Sequence, residues 1–210
     1  MISFFVDTAL SYIRIALFRD DKIIDCINEK CDKNMSSVFD LRVRDLFDRN
    51  NLNFNQVDKI YTVTGPGSFT GIRVGMTFSK VLAFSLGKRI IPISELQVLA
   101  SSNNDFDCVA SLIDARRGYV YAGVYDKNLD VVYNDRYILL DDFLNSNPGI
   151  KCFGYDNFES VDVIEPSIDF EKIILKNRDI VGIDYHILSP NYLKLTEAEE
   201  NLRKKTDNDC

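Results

Sequence analysis

Histidine is almost missing from this 210-residue chain: His186 stands alone. One imidazole cannot build a two-His metal site, and it leaves a His-based catalytic triad a single candidate. The five cysteines (Cys26, Cys31, Cys108, Cys152 and Cys210) are odd in number, scattered, and never spaced as C-x-x-C. That pattern points to reduced thiols of a cytoplasmic protein rather than to a disulfide framework or a zinc centre. No apolar run approaches the ~18 residues of a membrane span. The N-terminus lacks a basic region followed by an apolar core, so neither secretion nor membrane insertion is expected. Net charge is −7, a poor balance for a chain that binds nucleic acid by itself.

A hydrophobic share of 46% against 27% charged residues supports a folded core rather than disorder. Charge is uneven: residues 1–100 sum to +2 and the remainder to −9. Within the first half, Lys59, Arg73, Lys80, Lys88 and Arg89 occur in a stretch, 59–94, without an acidic residue. Strands are expected at Ile2–Asp7, Tyr12–Phe18 and Ile23–Ile27, the second with Ile13, Ile15 and Leu17 on one face. The period then turns helical over Ser36–Arg49, with Phe39, Val43, Leu46 and Phe47 on the apolar side. A strand at Lys59–Thr64, a helix ending near Leu86 before Gly87, and a strand at Ile90–Ile93 follow. Ser94 to Gln97 carries a capping-box pattern that opens a short helix. Later strands are expected at Val109–Ile113, Tyr119–Tyr125, Tyr133–Leu140 and Ile150–Phe153, with a helical turn at Asp141–Asn145. Thr196–Lys205 reads as a solvated helix, 155–190 gives no clear elements, and no repeat is visible. Three strands, helix, strand, helix is the half-unit of ribonuclease-H-like and actin-like ATPase folds, an α/β class that does not fix an activity.

The densest signal is the run Gly65-Pro66-Gly67-Ser68-Phe69-Thr70-Gly71-Ile72-Arg73-Val74-Gly75. Glycines after a strand permit a tight turn, and Ser68 can cap the helix that follows. The run is neither a Walker A loop nor G-x-G-x-x-G. It reads as a capped strand-to-helix turn, or as an anion site using the free N–H groups of a helix start. In the helix itself Gly71, Gly75, Ser79 and Ala83 stand four apart and form a ridge of small residues. Two interior glycines cost about 1 kcal/mol each against alanine, so a close packing partner is implied. That partner is the Ser36–Arg49 helix, a second chain, or both, with inter-chain contact the favoured expectation. Asp7 closes the first strand where an actin-like fold places a metal–phosphate carboxylate, or simply forms a turn. Asp114-Ala115-Arg116-Arg117-Gly118 is an anion grip or a polar hairpin turn.

Those residues carry a family resemblance. The Gly65–Gly75 run resembles the hallmark of the TsaB (YeaZ) family of tRNA threonylcarbamoyladenosine biosynthesis proteins. Asp7-Thr8, the Asp114–Gly118 turn with Val120-Tyr121, and Pro190-Asn191-Tyr192-Leu193-Lys194 resemble further blocks of that family. Met35-Ser36 stands where the family often has His-Ser, and Tyr119 where Glu is common. The resemblance implies an actin-like fold of two lobes, each a mixed sheet with flanking helices: residues 1–102, with the dimerisation helices, and a smaller lobe 103–210. It implies a noncatalytic subunit without a metal or cofactor of its own, nucleotide entering only at a shared interface. Implied partners are a TsaD-like threonylcarbamoyl transferase, a TsaE-like ATPase, a second copy when alone, and tRNA only through the complex. The expected interface is Phe39, Val43, Phe47, Phe69, Gly71, Ile72, Gly75, Met76, Ser79 and Ala83. Ser68, Arg73, Arg116 and Arg117 are the candidate anion contacts. The competing reading is an actin-like ATPase or small-molecule kinase using Asp7 and Mg²⁺. A peptidase lacks its Cys-His or Ser-His pair, and a free-standing RNA-binding module lacks its sequence signature.

Overall fold

The computed structural model describes residues 1–31 and 34–194. Two five-stranded sheets carry the fold. The first contains β1 (Ile2–Asp7), β2 (Tyr12–Arg19), β3 (Lys22–Lys30), β4 (Val57–Gly65) and β5 (Ile90–Ser94) in the order β3-β2-β1-β4-β5. The strands β3, β2 and β1 run antiparallel, and β1, β4 and β5 run parallel. Between β3 and β4 lies α1 (Met35–Arg49), and between β4 and β5 lies α2 (Phe69–Leu86). After α3 (Glu95–Ala100) the chain enters the second sheet: β6 (Cys108–Asp114), β7 (Tyr119–Asp126), β8 (Val131–Leu139), α4 (Leu140–Ser146), β9 (Lys151–Phe153) and β10 (Val163–Ile164). Its order is β10-β9-β6-β7-β8, the first sheet's arrangement of third, second, first, fourth and fifth strand over again. This duplicated α/β arrangement is the actin-like fold. The repeat is one of topology, which explains why the sequence shows none.

The second lobe is a reduced copy. No helix joins β9 to β10, where α2 joins β4 to β5, and a loop fills that position. α5 (Phe170–Asn177) follows β10 as α3 follows β5. α3 packs between the sheets, α5 lies against α3 and β3, and α1 and α2 share the outer face of the first sheet. Successive strand residues point to opposite faces, so Phe4 meets Phe47 (5.1 Å) and Phe78 under the outer helices, whereas Phe5 meets Phe170 of α5 at 5.6 Å. Covered on both sides, β1 is buried at every residue.

The chain passes from the first sheet to the second between Ser94 and Cys108, and its C-terminal part comes back. Phe170 packs under Phe5, Ile183 pairs with Ile90, and the Asn191 N–H donates to the Thr64 carbonyl at 2.8 Å. Residues 170–192 thus include returns to the first lobe, and the largest apolar core joins both. At α3, Ser94 accepts the Leu96 N–H, but Gln97 bonds Leu129 and Asn177 rather than closing the expected capping box. The expected helix at Thr196–Lys205 lies outside the described residues.

Candidate functional site

The glycine run and the end of β1 are built into one another. Ser68 caps α2 by accepting the Gly71 N–H, and its own N–H donates to the Ala9 carbonyl at 2.6 Å. The Thr8 hydroxyl donates to the Gly71 carbonyl (2.7 Å) and accepts the Gly75 N–H (3.0 Å). It thus bridges the two backbone groups that helical geometry would otherwise join to each other. A Cβ at Gly67 or Gly71 would fall on the carbonyl oxygens of Ala9 and Thr8. At Gly75 a Cβ would lie 2.6 Å from Thr8 Oγ1 and 3.0 Å from Val6 Cγ1. One turn further on, Ser79 shares a hydrogen bond of 2.5 Å with Thr62 of β4.

These contacts correct the expectation for the ridge. Gly71, Gly75, Ser79 and Ala83 face the chain's own sheet, buried, and let α2 lie close upon it. Phe39, Val43, Phe47, Ile72 and Met76 are likewise core residues, each exposed by 3% or less. Of the ten expected interface residues only Phe69, 57% exposed, stands in solvent, and of the buried nine Phe39 alone borders the open groove between α1 and α2. The reason is elementary: the apolar side of a helix on a sheet is the side the sheet takes, and glycines shorten the approach.

The opposite side of α2 carries what the ridge was expected to carry. Shifted by two residues, about 200° around the helix, Arg73, Thr77 and Val81 stand exposed. Val81 (60%) and Phe84 (66%) are large apolar residues left in solvent. Beside them runs an open, largely apolar groove of about 520 Å³ between Phe39 and Asp40 of α1 and Phe69, Val74, Phe78 and Val81 of α2.

Asp7 is neither a simple turn former nor an open ligand. It is buried, with Oδ1 accepting the Ala9 N–H at 2.8 Å and Oδ2 accepting Arg14 at 2.5 Å. The same Arg14 nitrogen donates to Glu95 Oε1 at 2.9 Å, and all three side chains are shut off from solvent. Burial pushes the Glu95 carboxyl well above the usual range, and the neighbouring Asp7 adds to it. Burial alone would lower Arg14, but Glu95 and Asp7 outweigh it and raise it. The guanidinium is covered by the rings of Tyr12 (4.7 Å) and Tyr155 (5.4 Å), which stack on each other across the two lobes. A second polar tie joins the lobes: Ser94 and Tyr125 both donate to Asp135. Sequence reading missed Arg14 and Glu95. The available signal was a lone arginine on the strand face it shares with Ala16 and Phe18.

The candidate anion contacts do not converge. Ser68 and Arg116 line a common cleft of about 550 Å³ between the lobes, together with Asp114 and Asp156. Arg73 instead lies over the Phe69 ring at 3.7 Å and donates to the Tyr192 hydroxyl at 3.2 Å. The Asp114–Gly118 segment is a polar hairpin turn, with Arg116, Arg117 and Gly118 all left-handed and Asp114 Oδ1 accepting the Arg116 N–H. His186 is exposed. Among the described residues no group of three His, Cys, Asp or Glu is arranged to hold a metal, and no helix is long and apolar enough to cross a membrane.

Comparison with known proteins gives a consistent family signal. Residues 27–194 match the family model described as TsaD: tRNA N6-adenosine threonylcarbamoyltransferase. The tRNA threonylcarbamoyladenosine biosynthesis protein TsaB of Bacillus subtilis is 32% identical over 216 aligned positions, covering 92% of this chain and 94% of that protein. Its Escherichia coli counterpart is 26% identical over 132 positions, 61% of this chain and 57% of that one. Among solved structures, YeaZ from Pseudomonas aeruginosa superposes with a TM-score of 0.74 at 20% identity, covering 91% of this chain and 99% of its own.

Proposed function

The chain belongs to the TsaB family, and from that premise we propose that it is a noncatalytic scaffold and activator in the assembly that makes threonylcarbamoyladenosine in tRNA. Its partner is a TsaD-like threonylcarbamoyl transferase, which it binds and supports. A TsaE-like ATPase joins them, tRNA is engaged through the complex, and the chain pairs with a second copy when alone. The docking face is the solvent side of α2 with the α1–α2 groove: Phe69, Val74, Val81 and Phe84.

The observation that carries this reading is the exposed apolar side of α2. Val81 and Phe84 stay 60% and 66% exposed on a helix whose other side is tightly packed. Large exposed apolar residues beside a groove mark an interaction surface. The Asp7–Arg14–Glu95 cluster supports the noncatalytic part. Where an actin-like kinase would need a carboxylate free for Mg²⁺, both Asp7 oxygens are taken by the chain itself.

The test is a doubly charged face. Val81→Asp with Phe84→Asp should leave the melting temperature close to wild type, since surface changes usually stay within about 0.5 kcal/mol. The variant should no longer co-purify with the transferase-like partner. Retention of wild-type affinity would place the interface elsewhere.

A further inference from the structure

Beyond α5 the chain runs along the outer edge of β5, and this return stretch holds large apolar side chains out in solvent. Ile183 exchanges both backbone hydrogen bonds with Ile90, at 3.0 and 2.8 Å. Asp184 then fixes a turn: its carbonyl accepts the Ile187 and Leu188 N–H groups, and its Oδ1 accepts the His186 N–H at 2.8 Å. Leu188, buried, anchors that turn in the core. Ile187 is left 70% exposed, and Val181, on the other side of Ile183, 75% exposed. Among the described residues five large apolar side chains are exposed by 60% or more, and the others are Leu41, Val81 and Phe84. Four of the five therefore belong to the return stretch and the solvent side of α2.

The two patches are joined. Tyr185 meets the Phe84 ring edge-on at 5.6 Å. A Cβ at Gly182 would lie 3.0 Å from that of Arg89, two residues beyond the α2 cap Gly87. We propose that Val181, Tyr185 and Ile187 extend the α2 docking face round the edge of the first sheet, and that one transferase-like partner covers both parts; this rests on the docking face proposed above. Area supports it. A standard interface takes about 800 Å² from each partner, more than half of it apolar. Phe69, Val81 and Phe84 together offer about 300 Å², counting about 200 Å² for a whole aromatic side chain. The return stretch adds a comparable area and makes up the shortfall. Its backbone is already held by Ile90 and Asp184, so little ordering cost is left for the moment of binding. Charge states what the partner presents. Lys88 is paired with Asp58 (3.6 Å), whereas Lys80 and Arg89, which border the joint, form no ion pair among the described residues. The matching surface is apolar with a carboxylate border. The sequence hides this face because its halves lie about 100 residues apart.

The test titrates the full-length chain against the TsaD-like transferase of the same organism by isothermal calorimetry. Val181→Asp with Ile187→Asp should weaken binding by about tenfold or more. Its melting temperature should stay near wild type, since both side chains already stand in solvent. Ile187→Leu, which keeps the apolar surface, should bind as wild type does. Arg89→Glu should weaken binding by about fivefold. Hydrogen exchange in residues 181–187 should slow when the transferase is added, together with that of α2. Wild-type affinity in the Val181→Asp, Ile187→Asp variant, with Val81→Asp, Phe84→Asp defective, overturns the extension and leaves the α2 face standing. Wild-type affinity in both variants overturns the α2 face as well. A Val181→Asp, Ile187→Asp variant that binds the transferase normally but no longer self-associates in sedimentation velocity also overturns the proposal, because the stretch would then serve a second copy.

Discussion

Gly75→Ala tests the packing of α2 most directly, because propensity and packing pull in opposite directions. On an isolated helix the change is favourable by about 1 kcal/mol. In this chain the new methyl lies 2.6 Å from Thr8 Oγ1, where real Cβ atoms keep at least 3.0 Å. Thr8 cannot swing aside freely, since its hydroxyl is held by the Gly71 carbonyl and by the Gly75 N–H. Overpacking a core costs about 1–3 kcal/mol, and each hydrogen bond lost adds about 0.5–1.5 kcal/mol. Net destabilisation should be about 2 kcal/mol, or a fall in melting temperature of about 4–8 °C for a chain of this size. Gly71→Ala should cost more, because its Cβ meets a backbone oxygen rather than a side chain. Thr77→Ala, on the exposed side, should be nearly neutral. Differential scanning calorimetry of the three variants, with partner pull-down in parallel, separates packing from docking. If Gly75→Ala melts with wild type yet no longer associates, the small-residue stripe is an intermolecular surface after all.

The buried charges make further outcomes measurable. Glu95 holds its proton more tightly folded than unfolded, so its contribution is fully present below the unfolded carboxylate value and is lost as pH rises through the folded one. Stability of the wild type should therefore fall with rising pH above about 4.5, and Glu95→Gln should flatten that slope in urea titrations at stepped pH. Arg14→Leu removes the one cation between two buried carboxyls and should cost about 3–5 kcal/mol, read as a lower urea midpoint with an unchanged slope. Phe170→Ala should cost about 3–5 kcal/mol, because Phe170 is 7% exposed and packs on Phe5 of the first lobe. A value near zero there would mean that α5 does not hold the lobes together.

Much of the first lobe was legible because its patterns are long. β1 ends at Asp7, α1 at Arg49 and α2 at Leu86 as periodicity and the Gly87 cap indicate. The second lobe yields less: β10 has two residues and α5 barely two turns, though Asp169 does cap it and Phe170, Ile173 and Ile174 mark its buried side. The site was legible in part. Spacing places Gly71, Gly75, Ser79 and Ala83 on one face but says nothing about what lies opposite. On a helix with large apolar residues on more than one side, only the sheet's position tells which side stays wet. The Asp7–Arg14–Glu95 cluster joins residues 81 positions apart, a distance that no local pattern spans.

The route of the backbone has its own consequence. The polypeptide leaves the first sheet after β5, builds the second, and comes back through α5 and the Ile183 and Asn191 contacts to finish against the first. Neither half is therefore a severable piece. A fragment stopping at residue 102 would strip the cover from Phe5 and remove the Ile183 bridge from Ile90 at the edge of the first sheet. Hydrogen exchange should accordingly find the slowest amides of both sheets opening together, as a single cooperative body.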